Sequence, residues 1–92
     1  MIVRIMGEGQ YDVPDSALAD LNRLDDDLEA ACASADEATF RRALAALNQG
    51  VHDAGTALPE DYLGPSDLVL PATDASLSEV SALLTDEGLI PD

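Results

Sequence analysis

The stretch DSALADLNRLDDDLEAACASADEATFRRALAALNQGVHDA, residues 15–54, decides the fold. Leu18, Leu21, Leu24 or Asp25, Leu28, Ala31 or Cys32, and Ala35 recur at steps of three and four, which lines them along one stripe of a helix. Asp20, Arg23, Asp26, Asp27 and Glu29 fall on the other faces and suit water. Pro14 and Asp15 fit the helix entry, proline in a first turn and aspartate as a cap for free N–H groups. Ser34-Ala35-Asp36-Glu37 has the form of a capping box for a second helix, with Asp36 as a competing cap. Phe40, Ala43 or Leu44, Leu47, Val51 and Ala54 form the second stripe, and Gly50 or Gly55 can end it in a left-handed cap. The short join at residues 34–36 makes the helices antiparallel neighbours. Alanines between the leucines allow a close approach.

Upstream, residues 1–13 read as a β-hairpin. Met1-Ile2-Val3-Arg4-Ile5-Met6 is rich in β-formers and Tyr11-Asp12-Val13 is its shorter partner. A three-residue loop Gly7-Glu8-Gly9, with Gly9 left-handed, would place Met6 opposite Gln10, Ile5 opposite Tyr11, Arg4 opposite Asp12 and Val3 opposite Val13. Val3, Ile5, Tyr11 and Val13 then share one face, and Arg4 meets Asp12 on the other, a cross-strand pair worth roughly 0.2–1 kcal/mol.

Downstream, residues 56–65 are a connection punctuated by Pro59, Gly64 and Pro65. Ser66-Asp67-Leu68-Val69-Leu70 is a strand closed by Pro71, and its continuous apolar run suits a strand covered on both faces. Ser76-Leu77-Ser78-Glu79 is a second capping box that starts a short helix to about Asp86, with Leu77, Val80, Leu83 and Leu84 on its buried side. Leu89-Ile90-Pro91 is an apolar tail expected to tuck beside the sheet. Residues 1–92 are therefore expected to form one α+β domain. Its sheet is small, three-stranded and mainly antiparallel, the N-terminal hairpin plus one later strand in the order 2-1-3. The antiparallel helical pair packs on one face of that sheet, and the short C-terminal helix and tail on the other.

The chain has four Arg, no Lys and nineteen acids, a formal net charge of −15. Self-repulsion at that charge opposes folding, and salt relieves it as the screening length falls from ~10 Å at 0.1 M to ~3 Å at 1 M. Such a charge argues against direct binding to nucleic acid or to anionic lipid. An Asp-rich, Lys-free, Ala-rich chain suits a halophilic or a GC-rich prokaryotic source. A single cysteine excludes an internal disulfide. No run approaches the ~20 apolar residues of a membrane span, and Met1 opens a strand-like run with no secretion signal, so a cytoplasmic location is expected.

The residues offer little chemistry. Cys32 and His52 lack an orienting third residue and an oxyanion loop, so a buried inert thiol and a helix-terminal imidazole are the readings preferred. Asp25-Asp26-Asp27 points three ways from a helix and reads as a solvated acidic face rather than a cation site. Gly7-Glu8-Gly9 leads into a strand and is a hairpin turn, not a phosphate loop. Arg23 and Arg41 have helical partners in Asp27 and Glu37, worth roughly 0.2–0.5 kcal/mol each. Arg42 has none at that spacing and reaches either the acids of the first helix or a partner. No catalytic residue, cofactor or metal is expected. The candidate partner-binding residues are Arg42, Asp25, Asp26, Asp27, Leu89 and Ile90.

Four stretches resemble one family: Met1-Ile2-Val3-Arg4-Ile5-Met6-Gly7-Glu8-Gly9-Gln10-Tyr11, Leu21-Asn22-Arg23-Leu24-Asp25, Pro65-Ser66-Asp67-Leu68-Val69-Leu70-Pro71 and Asp86-Glu87-Gly88-Leu89-Ile90-Pro91. They are similar to the PspAA family of PspA-associated prokaryotic proteins, nearly end to end. The resemblance implies a non-enzymatic adaptor of the phage-shock envelope-stress response that binds or regulates PspA, a membrane-remodelling protein related to the ESCRT-III superfamily. It implies contact with the membrane only through that partner. PspA-type proteins reach membranes through basic amphipathic helices, on which an acidic protein could dock. The rival reading from charge alone is an acidic transcription-linked regulator or DNA mimic. Self-association through a helical stripe or an edge strand is a further expectation.

Overall fold

The computed structural model describes residues 1–62 and 64–83. Strands β1 (Ile2–Ile5) and β2 (Gly9–Asp12) are followed by a 3-10 turn (Asp15–Ala17) and the helices α1 (Leu18–Ser34) and α2 (Glu37–Ala54). The chain continues through β3 (Thr56–Ala57), β4 (Leu68–Leu70) and α3 (Leu77–Leu83).

The leucine stripes form the expected antiparallel pair. Leu21, Leu28 and Ala31 of α1 and Phe40, Leu44, Leu47 and Val51 of α2 are buried together with Val3, Ile5, Val13, Leu68, Leu70 and Val80. Each large apolar side chain fully withdrawn from water contributes about 1.5–3 kcal/mol. The helix ends differ from expectation in detail. α1 begins after the 3-10 turn with Ala17 at its cap, and Asp15 makes no capping bond. Asp36, not Ser34, caps α2: its Oδ1 accepts from the N–H groups of Ala38 and Thr39 at 3.1 and 3.2 Å. The Ser34 hydroxyl turns back to donate to the Ala31 carbonyl at 2.9 Å. α1 ends on Ala35 at φ 56°, a left-handed position held by a residue other than glycine.

The hairpin forms with its strands two residues out of the expected register. Ile5 faces Gly9, Arg4 faces Gln10, Val3 faces Tyr11 and Ile2 faces Asp12. The loop keeps three residues but moves back by one, to Met6-Gly7-Glu8: Glu8 N–H donates to the Ile5 carbonyl at 2.9 Å, Gly7 takes the positive φ (83°) that its turn position requires, and Gly9 has the expected positive φ (118°) as the first residue of β2. The shift lengthens the pairing at the open end. The Met1 ammonium donates to the Val13 carbonyl and Val13 N–H to the Met1 carbonyl, both at 2.8 Å. In the expected register Met1 and Ile2 would overhang β2 without partners. A two-residue slip leaves each side chain on its original face, so Val3, Ile5 and Val13 still enter the core. The Arg4–Asp12 pair is not made across the strands. Asp12 instead lies 3.9 Å from the terminal ammonium.

The sheet has four strands, not three, in the order β3-β2-β1-β4, and is mixed rather than mainly antiparallel. β3 pairs antiparallel with β2 inside the stretch expected to be only a connection. β4 lies beside β1 as anticipated, but parallel to it. β4 runs parallel because the chain reaches it not by a hairpin but over the sheet face opposite the helices, where Gly64 and Ser66 lie. Gln10 is buried beneath them, donating to Ser66 Oγ at 2.7 Å and to the Gly64 carbonyl at 3.3 Å. Asp67 then docks at the start of β1, its Oδ2 accepting from Ile2 N–H and its N–H donating to the Ile2 carbonyl, both at 2.8 Å.

This crossing takes the place expected for the last helix. α3 lies on the helical side, with Val80 buried in the shared core and Ser81 beside Cys32 of α1. Ser76 caps it, its Oγ accepting from Glu79 N–H at 3.2 Å. β4 is covered on one face only: Leu68 and Leu70 are buried, and Val69 is 51% exposed. The expected tail Leu89-Ile90-Pro91 lies outside the described residues, as does Leu84.

Candidate partner-binding surface

The solvent side of the α1–α2 seam carries two open grooves. One, of about 540 Å³, lies where α1 ends and α2 begins. Ala30, Ala31 and Ala43 supply its apolar lining, and Asp27, Thr39 and Arg42 its polar one. The other, of about 300 Å³, lies at the opposite end of the same pair. Leu21, Leu24, Gly50 and Ala54 line it between Asp20 and Asp53. A Cβ on Gly50 would stand 2.9 Å from Leu24 Cδ1 and 3.2 Å from Leu21 Cδ2, so the ends of those side chains occupy the space that a larger residue would need.

The structure brings two of the candidate residues together. Arg42 and Asp27 line the same groove from opposite helices. Arg42 is exposed, and its Nη2 donates to Thr39 Oγ1 at 3.4 Å. Among the described residues it makes no ion pair within 4.0 Å. Its charge does reach the α2 cap. The N–H and hydroxyl of Thr39, then the Ala38 N–H and the Arg42 charge, hold the Asp36 carboxyl below its ordinary value. Asp26 is exposed on α1. Leu89 and Ile90 lie outside the described residues.

Asp25 overturns the reading of its run as a wholly solvated face. It is 1% exposed and engaged in an interaction within the fold. A carboxylate taken from water needs such a partner. Its position, four residues after Leu21 and three before Leu28, is the signal that placed it on the buried stripe. Arg23 also departs from expectation. It pairs at 3.6 Å with Asp20, one turn before it, rather than with Asp27. Both side chains are largely solvated, so the pair contributes little. Arg41 makes no ion pair with Glu37.

Asn48 is a buried residue that stripe counting passed over. Its Nδ2 donates to the Pro71 carbonyl at 3.1 Å and to Thr73 Oγ1 at 3.0 Å, tying α2 to the turn after β4. Its position four residues after Leu44 was the available sign.

Cys32 and His52 sit at opposite ends of the helical pair. Burial pushes the Cys32 thiol up, with the Ser81 hydroxyl pulling the other way, and a protonated thiol is a poor nucleophile. His52 Nε2 stands 3.4 Å from Glu8 Oε1, too poorly aligned to count as a hydrogen bond, and its ring lies 5.0 Å from that of Tyr11 at 34°. These contacts fasten the hairpin tip to the last turn of α2. Among the described residues no three His, Cys, Asp or Glu side chains are grouped to hold a metal ion. No described helix is long and apolar enough to cross a membrane.

A family model described as PspA-Associated protein matches residues 1–92. No curated protein and no solved structure matches the chain.

Proposed function

The chain belongs to the PspA-associated protein family, and from that premise we propose that it is a non-enzymatic adaptor that binds or regulates a PspA-type protein in the envelope-stress response. The observation that carries this reading is the family match over the whole chain rather than over one segment. The net charge of −15 supports a mechanism in which the protein engages the basic amphipathic helices of its partner. On this reading it competes with anionic lipid for those helices and is drawn to the inner face of the membrane only through the partner.

Calorimetric titration of the purified protein into a purified PspA-type protein, at stepped salt concentrations, tests this. Binding is expected at low salt, with affinity falling as the screening length shortens. No binding at any salt refutes the association. Binding that strengthens steadily with salt refutes its charge-led form.

A further inference from the structure

The two grooves on the α1–α2 pair follow one line. Along α1 and its cap the lining positions Ala17, Leu24 and Ala31 are seven residues apart, and on α2 so are Ala43 and Gly50. Seven-residue spacing keeps side chains along a seam that a third helix can follow. The seam runs the length of α1, 17 residues, or about 26 Å at 1.5 Å per residue. Its lining of alanine and glycine lets another backbone come near, and half-buried Leu24 offers an apolar contact for it.

The charges at the seam choose the occupant. Asp20 and Asp53 flank one groove, and Asp27 faces Arg42 at the other. Together with the net −15 this repels nucleic acid and anionic lipid. An extended strand has no partners here for its backbone N–H and C=O groups, because the walls are helices whose own groups are paired. A helix carries its hydrogen bonds internally and needs only an apolar stripe and matching flanks.

We propose that this seam docks one amphipathic helix of the partner, with a small apolar stripe against Leu24, Gly50 and Ala43 and with Lys or Arg flanking it. The docked helix completes a three-helix layer. Its most basic end lies between Asp20 and Asp53. At the other end the Asp27–Arg42 groove accepts one charge of each sign, which fixes the helix direction. The assignment rests on the PspA reading for the partner's name but not for its chemistry.

The test uses two probes. The first is a fluorescent synthetic helix of about 20 residues, long enough to span the seam, with an Ala/Leu stripe flanked by Lys; a second version carries Glu in place of Lys. The other probe is the purified PspA-type protein. Ala30→Arg and Ala43→Arg plug the seam. Val69→Arg adds the same charge on the outer sheet face. Thermal unfolding confirms that each variant folds.

The wild type and Val69→Arg should bind the Lys helix and the PspA-type protein equally. Ala30→Arg and Ala43→Arg should each weaken both by ~10-fold or more, the loss of about one well-packed contact. The Glu helix should not bind. A Lys helix that fails to bind, or binds the plugged variants as well as Val69→Arg, overturns the seam. PspA-type protein binding that the plugs do not change also overturns the seam, and leaves the association standing. Plug-sensitive binding of the Lys helix with no binding of the PspA-type protein upholds the seam and overturns the association.

Discussion

Replacing Ala35 by glycine should make the protein more stable. Ala35 ends α1 at φ 56°, where its Cβ crowds the backbone, and an L-residue there is strained by about 1–2 kcal/mol. Glycine removes that strain, but its freer unfolded chain gives back about 0.4–1 kcal/mol. The difference leaves a net gain of about 0–1.6 kcal/mol, with a midpoint of ~0.8 kcal/mol. A gain of 1 kcal/mol raises the Tm of a domain this size by roughly 4–8 °C, so a rise of about 3–6 °C is expected at that midpoint. The same change at exposed Ala45, inside α2, must act in the opposite sense. There alanine is already in its preferred conformation, and glycine costs about 1 kcal/mol. Differential scanning calorimetry of the two variants beside the wild type makes the comparison. If Ala35→Gly lowers Tm, or both variants move the same way, the left-handed end of α1 is not where the chain turns.

Asn48→Ala should cost about 2–3 kcal/mol in urea denaturation, because the Pro71 carbonyl and the Thr73 hydroxyl lose a buried donor. Asn48→Asp keeps the shape but sets a carboxylate against that carbonyl, so its deficit should shrink as pH is lowered and the group is protonated. Asp36 has a depressed carboxyl in the folded state, so its contribution is present above the unfolded value near 3.8 and is lost as pH falls through the lower folded one. Asp36→Asn keeps a capping oxygen that does not titrate, and stability followed below about pH 3.9 should fall less steeply in this variant than in the wild type. Raising salt from ~0.1 to ~1 M should raise Tm by screening the repulsion among nineteen acids; an unchanged or falling Tm would mean that repulsion is not a significant term.

The helical pair was legible in the sequence because its signal is local. Leucines at steps of three and four must lie on one stripe whatever covers them, and the apolar alternation of Val3 and Ile5 sends both inward in any even register. The same alternation could not separate two registers that differ by two residues. That choice fell to the turn at Gly7 and to the extra pairing of Met1 with Val13, contacts between residues twelve apart. The two-residue strand β3 depends on pairing with β2, and the parallel course of β4 goes with Gly64 and Ser66 lying over Gln10, residues 54 and 56 positions away, contacts that no local period encodes. Asp25 shows the same limit within a single helix. Its spacing placed it on the stripe and its charge placed it in water, and only the packed molecule decided between them. The four PspAA-like stretches were readable in the chain and identified its family. The seam on which the docking proposal rests needed α1 and α2 side by side, because its two walls come from residues far apart in sequence.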